Sequence, residues 1–373
     1  MKCKLLAIIM LAVTFLIGCT TQNNKDGILI RAGLGDKCGF IDKIGHWIIN
    51  PQFDDAENFA ENGLACVKLN GKWGYIDKTG KWAINPQFDR AGDFENSLAP
   101  ARLNGKWGYI DKTGKWVINP QFDKVWYFTE NGLAGVILNG KGGFIDKNGK
   151  WVINPQFDSV DYFAKNGLAS VRLNGKCGYI DKTGKLVINP QFDAVWDFAE
   201  NGLARVKLNG KYGFIDKTGK LVITTQFDNA WTFAQNGLIG VLLNGKCGCI
   251  DQTGKWVINP QFDNMGHFAE NGLALAKLDG KYGFIDKTGK WVINPQFDQV
   301  YNFAQNGLAP IELNGKWGCI DETGKLVINP QYDKVRIFEN TIFFEQNNKW
   351  GIMDENGNII ANPQFDWVID RYF

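Results

Sequence analysis

Apolar and polar residues alternate in short runs along this chain, and each run is cut off by a turn. In Leu64 to Leu69, Ala65, Val67 and Leu69 share one face while Cys66 and Lys68 lie opposite, the period of a β-strand. Asn70-Gly71 follows; between alternating runs, Asn-Gly is the strongest short signal for a two-residue hairpin turn with positive φ at both positions. A second strand, Trp73 to Asp77, leads into Asp77-Lys78-Thr79-Gly80. There Asp opens a turn through its side-chain oxygen and Gly closes it in the left-handed conformation. A third strand, Lys81 to Ile84, is predicted to end at Asn85-Pro86, because Pro cannot donate to a ladder. Trp73 and Tyr75 oppose Ile76, and Trp82 and Ile84 oppose Ala83. Apolar residues on both faces suit a sheet held between two neighbouring sheets.

This phrase is written ten times, with a period near 35 residues, so the chain is read as an all-β array of ten three-stranded antiparallel meanders rather than as separate domains. The path from the third strand to the next unit carries Phe88, Ala91 and Phe94, a spacing that predicts a helical turn. A Gly follows the second-strand Trp position in every copy, from Gly39 to Gly351. A glycine inside a strand needs a cause; a bulky ring from the next unit or a bulge would supply one. The first unit starts at its own first strand, Leu29 to Leu34, and the last ends in a third strand, Asn358 to Ala361. No strand is then left to close a ring, and ten exceeds the usual four to eight blades of a propeller. The phase therefore favours an open superhelical stack over a closed β-propeller. The tenth copy is more polar, as a capping unit would be.

The N-terminus is separate. Lys2 and Lys4 precede an apolar run, Leu5 to Ile17, which is short for a membrane span. Leu16-Ile17-Gly18-Cys19 resembles the lipobox of bacterial lipoproteins. That resemblance implies a signal peptide over 1–18, lipid on Cys19 and a polar tether to residue 26, with the array over 27–373. Thr20, uncharged, then favours the outer membrane in a Gram-negative cell. The chain has 41 basic and 39 acidic residues, and losing Lys2 and Lys4 balances them. A neutral body argues against nucleic acid as a partner. Cys38, Cys66, Cys177, Cys247, Cys249 and Cys319 each occupy a repeat position held elsewhere by another residue. They read as small packed hydrophobes.

The recurring Lys-Trp-Gly, as in Lys72-Trp73-Gly74 and Lys316-Trp317-Gly318, with its following Ile-Asp and Thr-Gly, resembles the WG-repeat family of bacteria. The resemblance spans residues 27 to 373 and implies an all-β repeat protein without a general activity. The chain departs from the pattern at Gly142, at Thr224-Thr225 in place of Asn-Pro, and in the second unit, which lacks one loop residue and reads Asn96-Ser97.

His46 and His267 occupy unrelated repeat positions, no nucleophile and base are paired by spacing, and no Asp-rich calcium loop or phosphate loop is present. The chain is therefore read as non-catalytic, without cofactor or metal. The third-strand position Trp47, Trp82, Trp116, Trp151, Leu186 keeps its apolar type and reads as core. Three residues after the Phe-Asp aspartate the copies disagree: Glu57, Gly92, Trp126, Asp161, Trp196, Trp231, Gly266, Tyr301, Arg336, Ile369. This implies a water-facing position. Trp126, Trp196, Trp231 and Tyr301, with Tyr127 and Tyr162, form the candidate binding stripe. Their alternative role is to fold over their own loops. The expected function is a protein-binding scaffold on the bacterial cell envelope, held to the membrane by lipid on Cys19. The alternative is a glycan or cell-wall binding module.

Overall fold

The computed structural model describes residues 27–233, 237–338 and 340–368; the expected signal peptide, Cys19 and the expected tether lie outside them. Among the described residues every regular element is a strand, and the strands form ten four-stranded sheets. Each sheet contains the three expected strands and one more. In the second blade the additional strand, Asp55–Ala56, pairs with Leu64–Leu69, which pairs with Lys72–Asp77, which pairs with Trp82–Phe88. We call the additional one the lead strand and keep first, second and third for the others. The helical turn predicted from Phe88, Ala91 and Phe94 is thus replaced by a strand. Arg90 and Ala91 pair with Arg102 and Ala101. In five blades the lead strand is five residues long.

The lead strand overturns the open stack. Trp367–Val368, the last described residues, are the lead strand of the blade that contains Ile30–Leu34. Ala32 pairs with Val368 and Gly33 with Trp367. The chain is a closed ten-bladed β-propeller. The apolar side chains confirm closure, because the core is divided among interfaces between adjacent blades. Ile30, Ala32 and Ile41 pack with Phe343, Ile352 and Phe365 across the seam. Ten such interfaces are filled, whereas an open stack of ten units has nine. A ring has no end unit, so the polar tenth copy is not a cap. Two-sided burial of each sheet follows directly.

The third strand does not stop at Asn-Pro. Trp82–Phe88 runs through Asn85 and Pro86 as a bulged edge strand, where Pro needs no ladder partner. That bulge explains the recurring glycine. A Cβ at Gly178 would lie 2.3 Å from the Ile188 carbonyl oxygen and 2.7 Å from Pro190 N. The close approach comes from backbone in the same blade rather than from a ring of the next. The third-strand tryptophans are half-buried and meet the preceding blade edge-on, Trp82 against Phe53 at 5.8 Å and Trp47 against Phe365 at 5.5 Å.

Candidate functional site

Because strands alternate in direction, the loops after the lead strands share one face of the ring with the Asp-Lys-Thr-Gly turns. The Asn-Gly turns and the Phe-Asp junctions share the other. On the second face each junction aspartate links two blades. Asp89 accepts from Lys72 Nζ at 2.6 Å and from the Gly105 N–H of the next blade at 3.4 Å. Lysine holds these carboxyls below the usual range.

On the first face, blades 2 to 5 give their loops to one cleft of about 1290 Å³. Blade 2 supplies Ala60 and Glu61, blade 3 Asp93 to Asn96, blade 4 Trp126 to Asn131, and blade 5 Tyr162 to Lys165 with Lys182 from its turn. The preceding blade fixes each loop. Phe94 packs on Tyr75 at 4.9 Å and Phe128 on Tyr109 at 4.7 Å. The Tyr75 hydroxyl donates to the Gly92 carbonyl and the Tyr109 hydroxyl to the Trp126 carbonyl, both at 2.6 Å.

Blade 3 differs from its neighbours. Its loop is the one that lacks a residue, and it closes with Asn96 and Ser97 at φ 49° and 76°. Gly92 leaves room that the Tyr127 phenol fills, its oxygen 2.5 Å from where a Cβ would stand. Asp93 N–H donates to that oxygen at 3.2 Å, and Asn96 Nδ2 donates to the Phe128 carbonyl at 2.6 Å. Burial raises the Asp93 carboxyl, with Glu57 and Glu95 adding repulsion. Burial also raises Tyr127 to about 12, helped by Asp93 and Glu95. Tyr162, exposed, donates to the Asp197 carboxylate and is raised to about 12, chiefly by that bond.

Of the six aromatic candidates, the structure brings Trp126, Tyr127 and Tyr162 into this cleft. It leaves three elsewhere. Trp196 is half-buried under the Arg205 guanidinium, 3.9 Å from the ring centre, and beside Tyr212 at 5.7 Å. Trp231 is half-buried against Gly240 and the core that holds Cys247. Tyr301 is exposed but stacked on Trp317 at 5.1 Å. Three residues after the Phe-Asp aspartate, the position expected to face water is exposed among the described residues only at Tyr301 and half-buried from Glu57 to Gly266 and at Arg336; Ile369 lies outside the described residues.

The sequence reading missed Asp93 and Glu95. The one usable signal was the missing residue beside them. The six cysteines from Cys38 to Cys319 are free and buried, and burial raises Cys249 and Cys319 to about 12. Among the described residues no group of three His, Cys, Asp or Glu could hold a metal, and no helix is long and apolar enough to cross a membrane.

A comparison with curated proteins finds no match. Among solved structures, a eukaryotic initiation factor is similar with a TM-score of 0.55 at 10% identity, covering 91% of this chain and 96% of that one. At that identity the likeness shows the fold alone. Dihydro-heme d1 dehydrogenase NirN aligns with a TM-score of 0.39 at 13% identity, over 72% of this chain and 74% of its own. Kluyveromyces lactis Hsv2p aligns at 0.36 and 10%, over 74% and 97%. The family model described as "WG containing repeat" matches ten successive segments, from residues 39–73 through 178–212 to 350–372. Matched from end to end of the ring, the chain belongs to the WG-containing repeat family.

Proposed function

We propose that the protein is a non-catalytic binding scaffold of the cell envelope, tethered through lipid on Cys19, that holds a protein partner in the cleft of blades 2 to 5. One observation carries this reading. Four loops in which the repeats disagree converge on one cavity and bring Trp126, Tyr127 and Tyr162 with them. Elsewhere the repeated residues are engaged in turns, latches and interblade packing. Rings beside polar loop groups suit a polypeptide surface.

Site-specific photocrosslinking in cells tests it. A photoreactive residue at position 162 should capture a partner that the same residue at position 301 does not. Equal capture at both positions would sink the reading. Mass spectrometry of the membrane-extracted protein should find lipid on Cys19, and Cys19→Ser should release the ring from the membrane. An unmodified Cys19 would remove the anchor from this proposal.

A further inference from the structure

We infer that the cleft accepts a lysine or arginine side chain of the partner polypeptide, seated between the carboxylates of Asp93 and Glu95 and the rings of Trp126 and Tyr127. This deepens the scaffold reading and rests on it.

The argument starts from charge. The cleft is lined by Glu61, Asp93, Glu95 and Glu130 at the end formed by blades 2 to 4, with Lys165 and Lys182 confined to blade 5. Elsewhere two recurring sets of acids are held locally. Junction aspartates hold lysines, Asp158 with Lys141 at 2.8 Å and Asp193 with Lys176 at 2.7 Å. Turn aspartates are occupied by their own loops: Asp181 Oδ1 accepts from the Thr183 hydroxyl at 2.6 Å. Among the described residues no side chain donates to the four cleft carboxylates. Asp93 is half-buried in that condition, with Glu57 and Glu95 adding like charge. A cation placed there would relieve the repulsion.

Shape supplies the second half. The short loop of blade 3 brings Asp93 and Glu95 to the cleft wall, while Tyr127 fills the space that Gly92 leaves behind that wall. Trp126 and Tyr127 follow directly in the next blade. A guanidinium or ammonium over such rings gains from their negative faces while its charge meets the carboxylates. The ring already uses this device, as with Arg205 over Trp196 and Lys277 over Tyr282. A bare metal ion does not fit, since no three ligands converge among the described residues. The volume of about 1290 Å³ accommodates several residues around the cation.

The test uses the full chain in neutral detergent and three fluorescent probes. These are a ten-residue Arg/Gly/Ser peptide, the same peptide with Glu for Arg, and an N-acetylglucosamine hexamer, read by polarisation. The arginine peptide should bind, should lose about tenfold in affinity in Asp93→Asn/Glu95→Gln, and should weaken on raising salt. Glu95→Gln alone, at an exposed position, should give a smaller loss in the same direction and guards against misfolding of the double variant. Equal affinity for the glutamate peptide, no loss in the carboxamide variants, or no binding of the arginine peptide would overturn the inference. Hexamer binding that is lost in Trp126→Ser/Tyr162→Ser would keep the cleft as a site and replace its ligand by a glycan. Arginine-peptide binding unchanged by Trp126→Ser/Tyr162→Ser would remove both the cation and the cleft.

Discussion

The carboxylate of Asp366 accepts a hydrogen bond from the backbone N–H of Gly35 at 2.7 Å, joining residues 331 positions apart. Asp366 also takes Lys349 at 2.5 Å, and its own N–H donates to the Gly33 carbonyl at 2.9 Å. It therefore repeats the junction made by Asp89, with one difference. In other blades a loop ties the lead strand covalently to the first strand, but in blade 1 the tie is noncovalent, through pairing with Ala32 and Gly33, packing and the Asp366 bonds. Deleting residues 366–373 should open the ring. Small-angle scattering should show a larger, elongated particle, and an unchanged compact profile would refute closure by this strand. Asp366→Ala should lower the thermal midpoint more than Asp158→Ala does.

Acid should loosen the whole ring. Asp54, Asp89, Asp123 and Asp158 are lowered first by a lysine hydrogen bond, as are the other junction aspartates. Turn aspartates such as Asp77 and Asp181 are lowered first by a threonine hydroxyl. A depressed folded-state pKa gives stability that is complete above the unfolded value of about 3.9 and disappears as pH falls through the lower folded value. The thermal midpoint should thus respond little to these groups between pH 7 and 5 and fall steeply below about pH 4. A midpoint that rises on acidification to pH 3 would show that these bonds do not matter.

The turns were legible because their causes are local. Asn70 and Gly71 have φ of 50° and 79°, as Asn-Gly demands. Asp77 accepts from Thr79 N at 2.8 Å and Lys81 N at 3.1 Å, as its turn demands. In half the blades the lead strand was not legible, because two paired residues such as Arg90 and Ala91 are too few to show a period. Phe88, Ala91 and Phe94 reach one interface core between blades 2 and 3 from a third strand, a lead strand and a loop, not from a helix. Missing that strand hid the closure, since the closing strand lies beyond the last recognised one. For the site, variability pointed to Trp126, with Tyr162 added as a neighbour of the variable position, but also to Trp196. Only three-dimensional neighbours separate them: Arg205 and Tyr212 cover Trp196, and nothing in the period reveals this.

Trp196 should accordingly behave as a structural residue. Trp196→Ser removes the ring that meets Arg205 at 3.9 Å and Tyr212 at 5.7 Å, and leaves the Arg205 head half-buried with its Nε unpaired. The expected cost is about 1–3 kcal/mol in urea unfolding. Crosslinking through position 162 should be unchanged. Loss of crosslinking with unchanged stability would instead place Trp196 in the contact surface.

The second-strand glycines should resist even one methyl group. A Cβ at Gly178 meets the backbone of the third-strand bulge at 2.3–2.8 Å, and backbone cannot swing aside as a side-chain tip can. Gly178→Ala should cost roughly 1–3 kcal/mol or more. Gly175→Ala offers a control of different origin, since nothing lies within 4 Å and the strain comes from its φ of 78°. Urea midpoints for both variants would measure the two costs. A neutral Gly178→Ala would mean that the bulge relaxes freely.

Asp93 should trade stability for binding, with a pH dependence opposite to that of the junction aspartates. Its carboxyl is raised by burial, then by Glu57 and Glu95. A raised folded-state pKa means the charged form is disfavoured by folding, so stability falls as pH climbs from the unfolded value through the folded one. Asp93→Asn keeps the shape and removes the charge. It should raise the thermal midpoint at pH 7. The gain should shrink as pH falls towards 4, because a raised carboxyl takes up its proton earlier on acidification than a free one. A partner cation supplies the same relief as protonation, so a bound arginine peptide should stabilise the parent at pH 7 and the Asp93→Asn variant less. Thermal scans of both proteins at the two pH values, with and without peptide, make the comparison. A midpoint lowered by Asp93→Asn at pH 7 would mean that this carboxylate holds the fold together and is not kept open for a partner.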